Sequence, residues 1–231
     1  MRLSPSSALA AIAAVGFLLP RSAAGQSIPS PFEYLERRQE IGVYVGTMSA
    51  GEGRFDYGPS GGLLYGTRYA IELSGPLSLE GLLGAVDGSR NVVDPGRVEG
   101  DRVIGEVDSR ILLIDAGFRF TLTGRRSWHG LAPFISLGGG IALDLKDRAQ
   151  LEEILLPEDV YDFGSSFIGT IGLGTRWFLT ESIAARADGT FSLWKIDTPP
   201  GFSDPDRGFE DVADGEWING TSLTLTLLYR W

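Results

Sequence analysis

The last fifteen residues constrain the fold more than any other part of this chain. From Trp217 the odd positions read Trp217, Asn219, Thr221, Leu223, Leu225, Leu227, Tyr229 and Trp231. The even positions read Ile218, Gly220, Ser222, Thr224, Thr226, Leu228 and Arg230. One face is apolar with aromatic ends and the other is mostly small or polar, which is the period-two signature of a strand. The run is about twice as long as a usual strand in a soluble protein. Trp217 and Tyr229 share a face, and at about 3.3 Å per residue and about 40° of tilt they stand roughly 30 Å apart in height. That is the thickness of a bilayer's hydrocarbon core.

Seven earlier segments carry the same alternation. They predict strands near Glu40–Met48, Gly62–Leu73, Leu77–Val86, Val107–Thr121, Leu131–Leu145, Asp162–Phe178 and Ile183–Trp194. The connections alternate in length. Ser74-Gly75-Pro76, Gly124 to Gly130 and Thr180-Glu181-Ser182 are short; Ser49 to Gly61, Asp87 to Glu106, Lys146 to Tyr161 and Lys195 to Glu216 are long. Eight strands, with short turns at one end and long loops at the other, predict an all-β fold: an eight-stranded antiparallel up-and-down transmembrane β-barrel over residues 40–231. An even strand count puts both ends of the barrel on the short-turn side.

Polarity decides which face meets lipid. Ile183, Ala185, Ala187, Phe191 and Leu193 alternate with Arg186, Asp188, Thr190 and Ser192. Leu63, Tyr65, Tyr69 and Ile71 alternate with Gly66, Arg68 and Glu72. Charge facing hydrocarbon is expensive, so the charged face is expected to point inward. A soluble lipocalin-like barrel inverts this, with an apolar interior. On the membrane reading, Arg68, Glu72, Glu80, Asp115, Arg119, Arg176, Arg186, Asp188 and Arg230 form a lumen ion-pair network. Phe163, Trp177, Trp217 and Tyr229 are the expected interfacial aromatics.

At the N-terminus, Arg2, the apolar run Ala8 to Leu19 and the small residues Ala23-Ala24-Gly25 predict a signal peptide over residues 1–25. Its removal takes away Arg2 and Arg21 and leaves the chain more acidic than its full-length net charge of −10. Residues 26–39, with Pro29 and Pro31, are expected to form a short irregular periplasmic segment. No later stretch approaches eighteen consecutive apolar residues, so the expected membrane-crossing element is the strand rather than the helix. The acidic balance speaks against nucleic acid, which calls for clustered Lys and Arg. The absence of cysteine excludes disulfides, a thiol nucleophile and cysteine-ligated zinc.

The C-terminal run Leu223-Thr224-Leu225-Thr226-Leu227-Leu228-Tyr229-Arg230-Trp231 resembles the C-terminal signal of bacterial outer-membrane proteins, with Trp231 where phenylalanine is commoner. With the signal peptide and eight strands, the chain resembles the small OmpA-like and porin-family barrels. The resemblance implies an outer-membrane location and recognition of Tyr229 and Trp231 by the barrel assembly machinery. It implies contact with outer-membrane lipid and lipopolysaccharide, and a monomer. It covers nearly the whole mature chain and carries little about activity.

Catalytic chemistry finds little support. The single histidine, His129, falls in a short turn beside Arg126 and Trp128, without a patterned partner. No catalytic, cofactor or metal residue is expected. Asp204-Pro205-Asp206-Arg207-Gly208-Phe209-Glu210 has oxygen ligands at alternating positions, but its calcium-loop pattern is incomplete. Solvated surface charge is the default for this acidic loop. The glycines lack strand–turn–helix syntax and fit relief of crowding inside a narrow barrel, although Gly138, Gly140, Gly172 and Gly174 could also leave lumen space. The expected function is a structural or interaction barrel with a filled lumen, not an enzyme. A narrow porin for small solutes is the alternative, and a soluble periplasmic lipocalin-like binder the third reading.

Overall fold

The computed structural model describes residues 30–146 and 148–231; the expected signal peptide and the start of the segment after it lie outside them. All elements belong to one compact unit, Phe32–Trp231. They are β1 (Phe32–Tyr34), β2 (Gln39–Ala50), β3 (Pro59–Ser74), β4 (Leu77–Val93), β5 (Val103–Thr121), β6 (Arg126–Trp128), β7 (Leu131–Asp144), β8 (Ser165–Phe178), β9 (Ile183–Asp197) and β10 (Gly215–Arg230), with three short 3₁₀ turns in the long loops.

Eight of these close into an antiparallel barrel in the order β2-β3-β4-β5-β7-β8-β9-β10, and β10 pairs back onto β2. Closure pairs the last barrel strand with the first over Gly220↔Ala50 to Arg230↔Glu40, so each of the eight barrel strands has a partner on both sides. The remaining two strands form a small appendage at the short-turn end. There β1 pairs with β6, from Phe32↔Trp128 to Tyr34↔Arg126. Part of the segment before the barrel is therefore a strand, which Pro31 precedes and does not interrupt. His129 and Gly130, both with positive φ (50° and 75°), make the tight turn from β6 into β7.

Alternation settles the facing. In β10, Trp217, Leu223, Leu225, Leu227 and Tyr229 are exposed, whereas Ile218, Thr224, Thr226, Leu228 and Arg230 are buried. A soluble barrel would bury the first set. Most strands run further than the alternation suggested, to 19 residues in β5 and 17 in β4. A ladder does not stop where lipid stops. Asp87, Arg110 and Lys195 interrupt the outward apolar face while backbone pairing continues past them, to Val93↔Val103 in one case. In β9 the outward apolar run from Ile183 to Leu193 spans roughly 25 Å of membrane normal, which matches the lipid-facing band of an outer-membrane barrel.

One strand begins later than expected. Gly164 has φ +54°, so the alternation does not pass through it and β8 starts at Ser165. Phe163 consequently turns inward and is buried against the apolar upper lumen. It is not an interfacial aromatic. Trp177, Trp217 and Tyr229 do lie on the outer face, and Trp231 joins them, stacked on Tyr229 at 5.9 Å between ring centroids.

Candidate functional site: the lumen and its loop cap

The inward residues are stratified along the barrel axis. At the short-turn end Glu40 Oε1 accepts from Arg119 Nη1 at 2.5 Å, and Glu40 Oε2 accepts from Arg176 Nη1 at 3.0 Å. Arg230 Nε lies 3.9 Å from the same carboxylate. The guanidinium carbons of Arg230 and Arg176 stand 4.3 and 5.3 Å from the centre of the Phe178 ring. One layer further in, Glu80 Oε2 accepts from Arg119 Nη1 at 2.8 Å and from Arg186 Nη1 at 2.6 Å. Asp188 Oδ1 accepts from Arg186 Nε at 2.7 Å and Arg68 Nη1 at 3.1 Å. Phe134 and Tyr44 fill the gaps, under Arg186 at 4.3 Å and Arg68 at 4.8 Å.

These contacts join five arginines and three carboxylates into one continuous buried network. Seven of the nine residues expected there are in it. The hub Glu40 was not among them, although it shares the parity of the inward Tyr44 and Met48. It sits at the first residues of its strand, where alternation has little length in which to declare itself.

Two expected members stand apart. Glu72 pairs with Arg125, at 2.7 Å, on the partly exposed rim near the short turns. It is paired with Ser78 of β4 but lies one residue beyond the last β2–β3 pair, Gln39↔Ile71, next to the register shift between Glu72 and Ser74. Asp115 points into the lumen but accepts from the Thr170 hydroxyl at 2.9 Å, with no cation within 4.0 Å among the described residues. The network proper therefore carries more positive than negative charge.

Above it lies a small cavity of about 90 Å³ with a mostly apolar wall that includes Leu64, Leu82, Leu113 and Ile168, and with Thr170, Thr190, Asp115, Asp188 and Arg68 among its polar residues. Of the inward glycines expected to leave lumen space, Gly138 lines this cavity and Gly140, Gly172 and Gly174 do not. A Cβ on Gly140 would collide with the Ile114 carbonyl, and one on Gly84 would occupy the place of the Tyr44 hydroxyl. These glycines let strands and side chains approach closely.

The upper lumen is apolar. Met48, Leu64, Val86, Ile111, Phe163 and Trp194 fill it, continuous with a cap built from the long loops. In the cap Tyr57 packs at a tilt against Tyr161 at 4.7 Å and Phe202 at 5.3 Å, and Phe55 lies tilted against Phe202 at 5.0 Å and edge to face with Phe209 at 5.4 Å. Burial pushes the Tyr57 and Tyr161 hydroxyls above their ordinary pKa. Arg90 donates to Glu152 at 2.6 Å beside this core. Arg207 donates to Asp159 and, at 3.1 Å, to Glu158. Its hydrogen bond to Asp159 raises the guanidinium pKa. The acidic loops are thus a folded aromatic lid and not merely solvated charge. The aromatics that build it are spread over three loops, so no single segment of sequence announces it.

The faint calcium pattern has another role. Asp204 Oδ1 accepts from the Asp206 backbone N–H at 3.0 Å, and Arg207 Nε reaches Asp204 at 3.4 Å. Among the described residues no cluster of three or more His, Cys, Asp or Glu side chains is placed to hold a metal. His129 edges against Trp128 at 4.8 Å in its turn.

No protein-family model matches the sequence, and no curated protein matches it. Solved structures do. The chain is similar to the outer membrane protein OprG from Pseudomonas aeruginosa, with a TM-score of 0.55 and 11% identity over 87% of this chain and 99% of that one. It is also similar to Neisserial surface protein A, with a TM-score of 0.51 and 9% identity over 84% of this chain and 97% of that one. At such identities the likeness concerns fold alone. The chain therefore has the fold of the small bacterial outer-membrane β-barrels.

Proposed function

We propose that the protein is a resident of the bacterial outer membrane, exported by a cleaved signal peptide, which acts as a structural or interaction barrel without enzymatic activity. The observation that carries this reading is the stratified interior. A buried ionic network fills the lower lumen and an aromatic cap covers the upper one, with a cavity of about 90 Å³ between them. An eight-stranded circumference encloses little more than its own side chains. The lumen is accordingly a scaffold, and function falls to the surfaces exposed beyond the lipid band. Lipid and lipopolysaccharide surround the apolar belt, and the barrel assembly machinery recognises the C-terminal strand through Tyr229 and Trp231. The protein works as a monomer and needs no cofactor.

Fractionation with a heat-modifiability gel tests the assignment. The protein is expected in the outer-membrane fraction, and it migrates faster unboiled than boiled, because a closed barrel resists SDS until heated. Recovery in the soluble periplasmic fraction, with no shift on boiling, would overturn it.

A further inference from the structure

We propose that the long-loop end carries a binding site for an acidic saccharide, held between Arg54 and Arg102. Both line one cleft of about 630 Å³, formed by loops 51–58, 94–102 and 198–214. The Arg54 guanidinium carbon stands 5.3 Å from the centre of the Phe55 ring, and that of Arg102 stands 4.4 Å from the centre of Phe209. The two rings touch edge to face, with centroids 5.4 Å apart. The guanidiniums are thus mounted on one aromatic pedestal, within reach of a single oligosaccharide.

Their partners set them apart from their neighbours. At the same end Arg90 pairs with Glu152, Arg97 with Asp94, Arg110 with Asp87, and Arg207 with Asp159. Among the described residues no carboxylate lies within 4.0 Å of the Arg54 or Arg102 guanidinium, although the Arg54 backbone N–H donates to Glu216 Oε1 at 2.7 Å. Arg102 Nε makes one long contact, 3.4 Å, to the Arg97 carbonyl, which leaves its Nη atoms open. A guanidinium stacked by its face keeps its in-plane donors available, in the fork that suits a carboxylate or phosphate.

Asp56, Glu99 and Glu210 line the same cleft, and they too have no cation within 4.0 Å among the described residues. Opposite charges share the cleft without pairing, because stacking holds the guanidiniums in place. Three carboxylates repel a bare anion, and a neutral glycan offers the two arginines only hydroxyl acceptors, which bind a guanidinium more weakly than a carboxylate or phosphate does. A sugar acid or sugar phosphate satisfies both sets: its acid accepts from the arginines and its hydroxyls donate to the carboxylates.

Folded protein in detergent is titrated calorimetrically with four probes: a glucuronate-containing tetrasaccharide, the deacylated phosphorylated core of lipopolysaccharide, maltotetraose and inorganic phosphate. At least one of the two acidic saccharides is expected to bind saturably, tenfold or more tighter than maltotetraose or phosphate. Which one binds decides between a soluble glycan and the membrane's own lipopolysaccharide as the source. Arg54→Gln with Arg102→Gln is expected to weaken that binding at least tenfold while the heat-modifiability shift persists. If the double variant does not fold, Arg54→Lys with Arg102→Lys keeps the charge, loses the fork and is expected to weaken binding severalfold. Binding of neither acidic saccharide, equal binding of maltotetraose, or unchanged affinity in the folded variant would overturn the proposal. None of these results bears on the barrel assignment.

Discussion

At the residue scale the network's charge imbalance has a direct consequence. Five arginines share Glu40, Glu80 and Asp188, so every carboxylate is contested and no arginine is indispensable to charge balance. Removing one partner of a buried pair typically costs about 3–5 kcal/mol, because the other charge stays desolvated. Asp188→Ala leaves Arg68 and Arg186 with Glu80 as their one remaining carboxylate, and we expect a loss at the lower end of that range in urea unfolding of the vesicle-inserted protein. Glu40→Gln should cost more than Arg230→Gln, since one change raises the buried positive excess and the other lowers it; the reverse ranking would refute this charge accounting. Glu72→Ala, which opens only the rim pair with Arg125, should cost about 1 kcal/mol or less. Most of the network was legible in the sequence because inward parity follows from alternation alone. Pairing was not: Asp115 has the right parity, yet Thr170 is the group across from it.

At the scale of elements, the outer belt tests the facing of each strand. Leu225→Arg puts a charge in mid-membrane and should cost roughly 2–4 kcal/mol, whereas Val103→Arg, exposed at the loop end of β5, should cost about 0–1 kcal/mol. Equal costs in vesicle-folding titrations would contradict the assigned depth. Thr224→Arg, on the inward face, should be milder than Leu225→Arg if the lumen can accommodate it, and the ionic network speaks against that. The Thr224 hydroxyl accepts from Arg68 Nη2 at 3.3 Å, so the new cation meets an existing excess. The loop cap offers a pH test. Burial, with Asp56 and Glu106 nearby, raises the Glu52 pKa. Its protonated form is the one the fold favours, so the penalty grows as pH rises through the carboxylate range and is complete at neutrality. Proteolysis of the loops should slow on mild acidification in the native chain, and less so in Glu52→Gln. Strand existence was legible from period two, but strand ends were not. Outward charge marks the edge of lipid, whereas the ladder ends where pairing fails; at Phe163 one left-handed glycine reversed the parity that sequence alone extends.

For the whole molecule, closure through β10 and β2 gives the C-terminal strand a structural role beside the assembly role proposed for it. The Gln39 backbone N–H donates to the Trp231 carbonyl at 3.4 Å and the Trp231 N–H to the Gln39 carbonyl at 3.2 Å. Deleting Tyr229 to Trp231 should leave the chain exported yet absent from the outer-membrane fraction; normal insertion would refute the role given to this strand. The architecture was readable from eight alternating segments, two classes of connection and an aromatic last residue. The lid was not, because its core joins side chains from three loops whose own composition reads as polar. The central claim, a membrane barrel whose lumen is closed by its own side chains, is tested most directly by planar-bilayer recording. Purified wild-type protein and Asp188→Ala should both insert without conductance steps above the bilayer leak, with the variant less stable. Discrete channels in the wild type, together with an equally stable Asp188→Ala of altered ion selectivity, would contradict it.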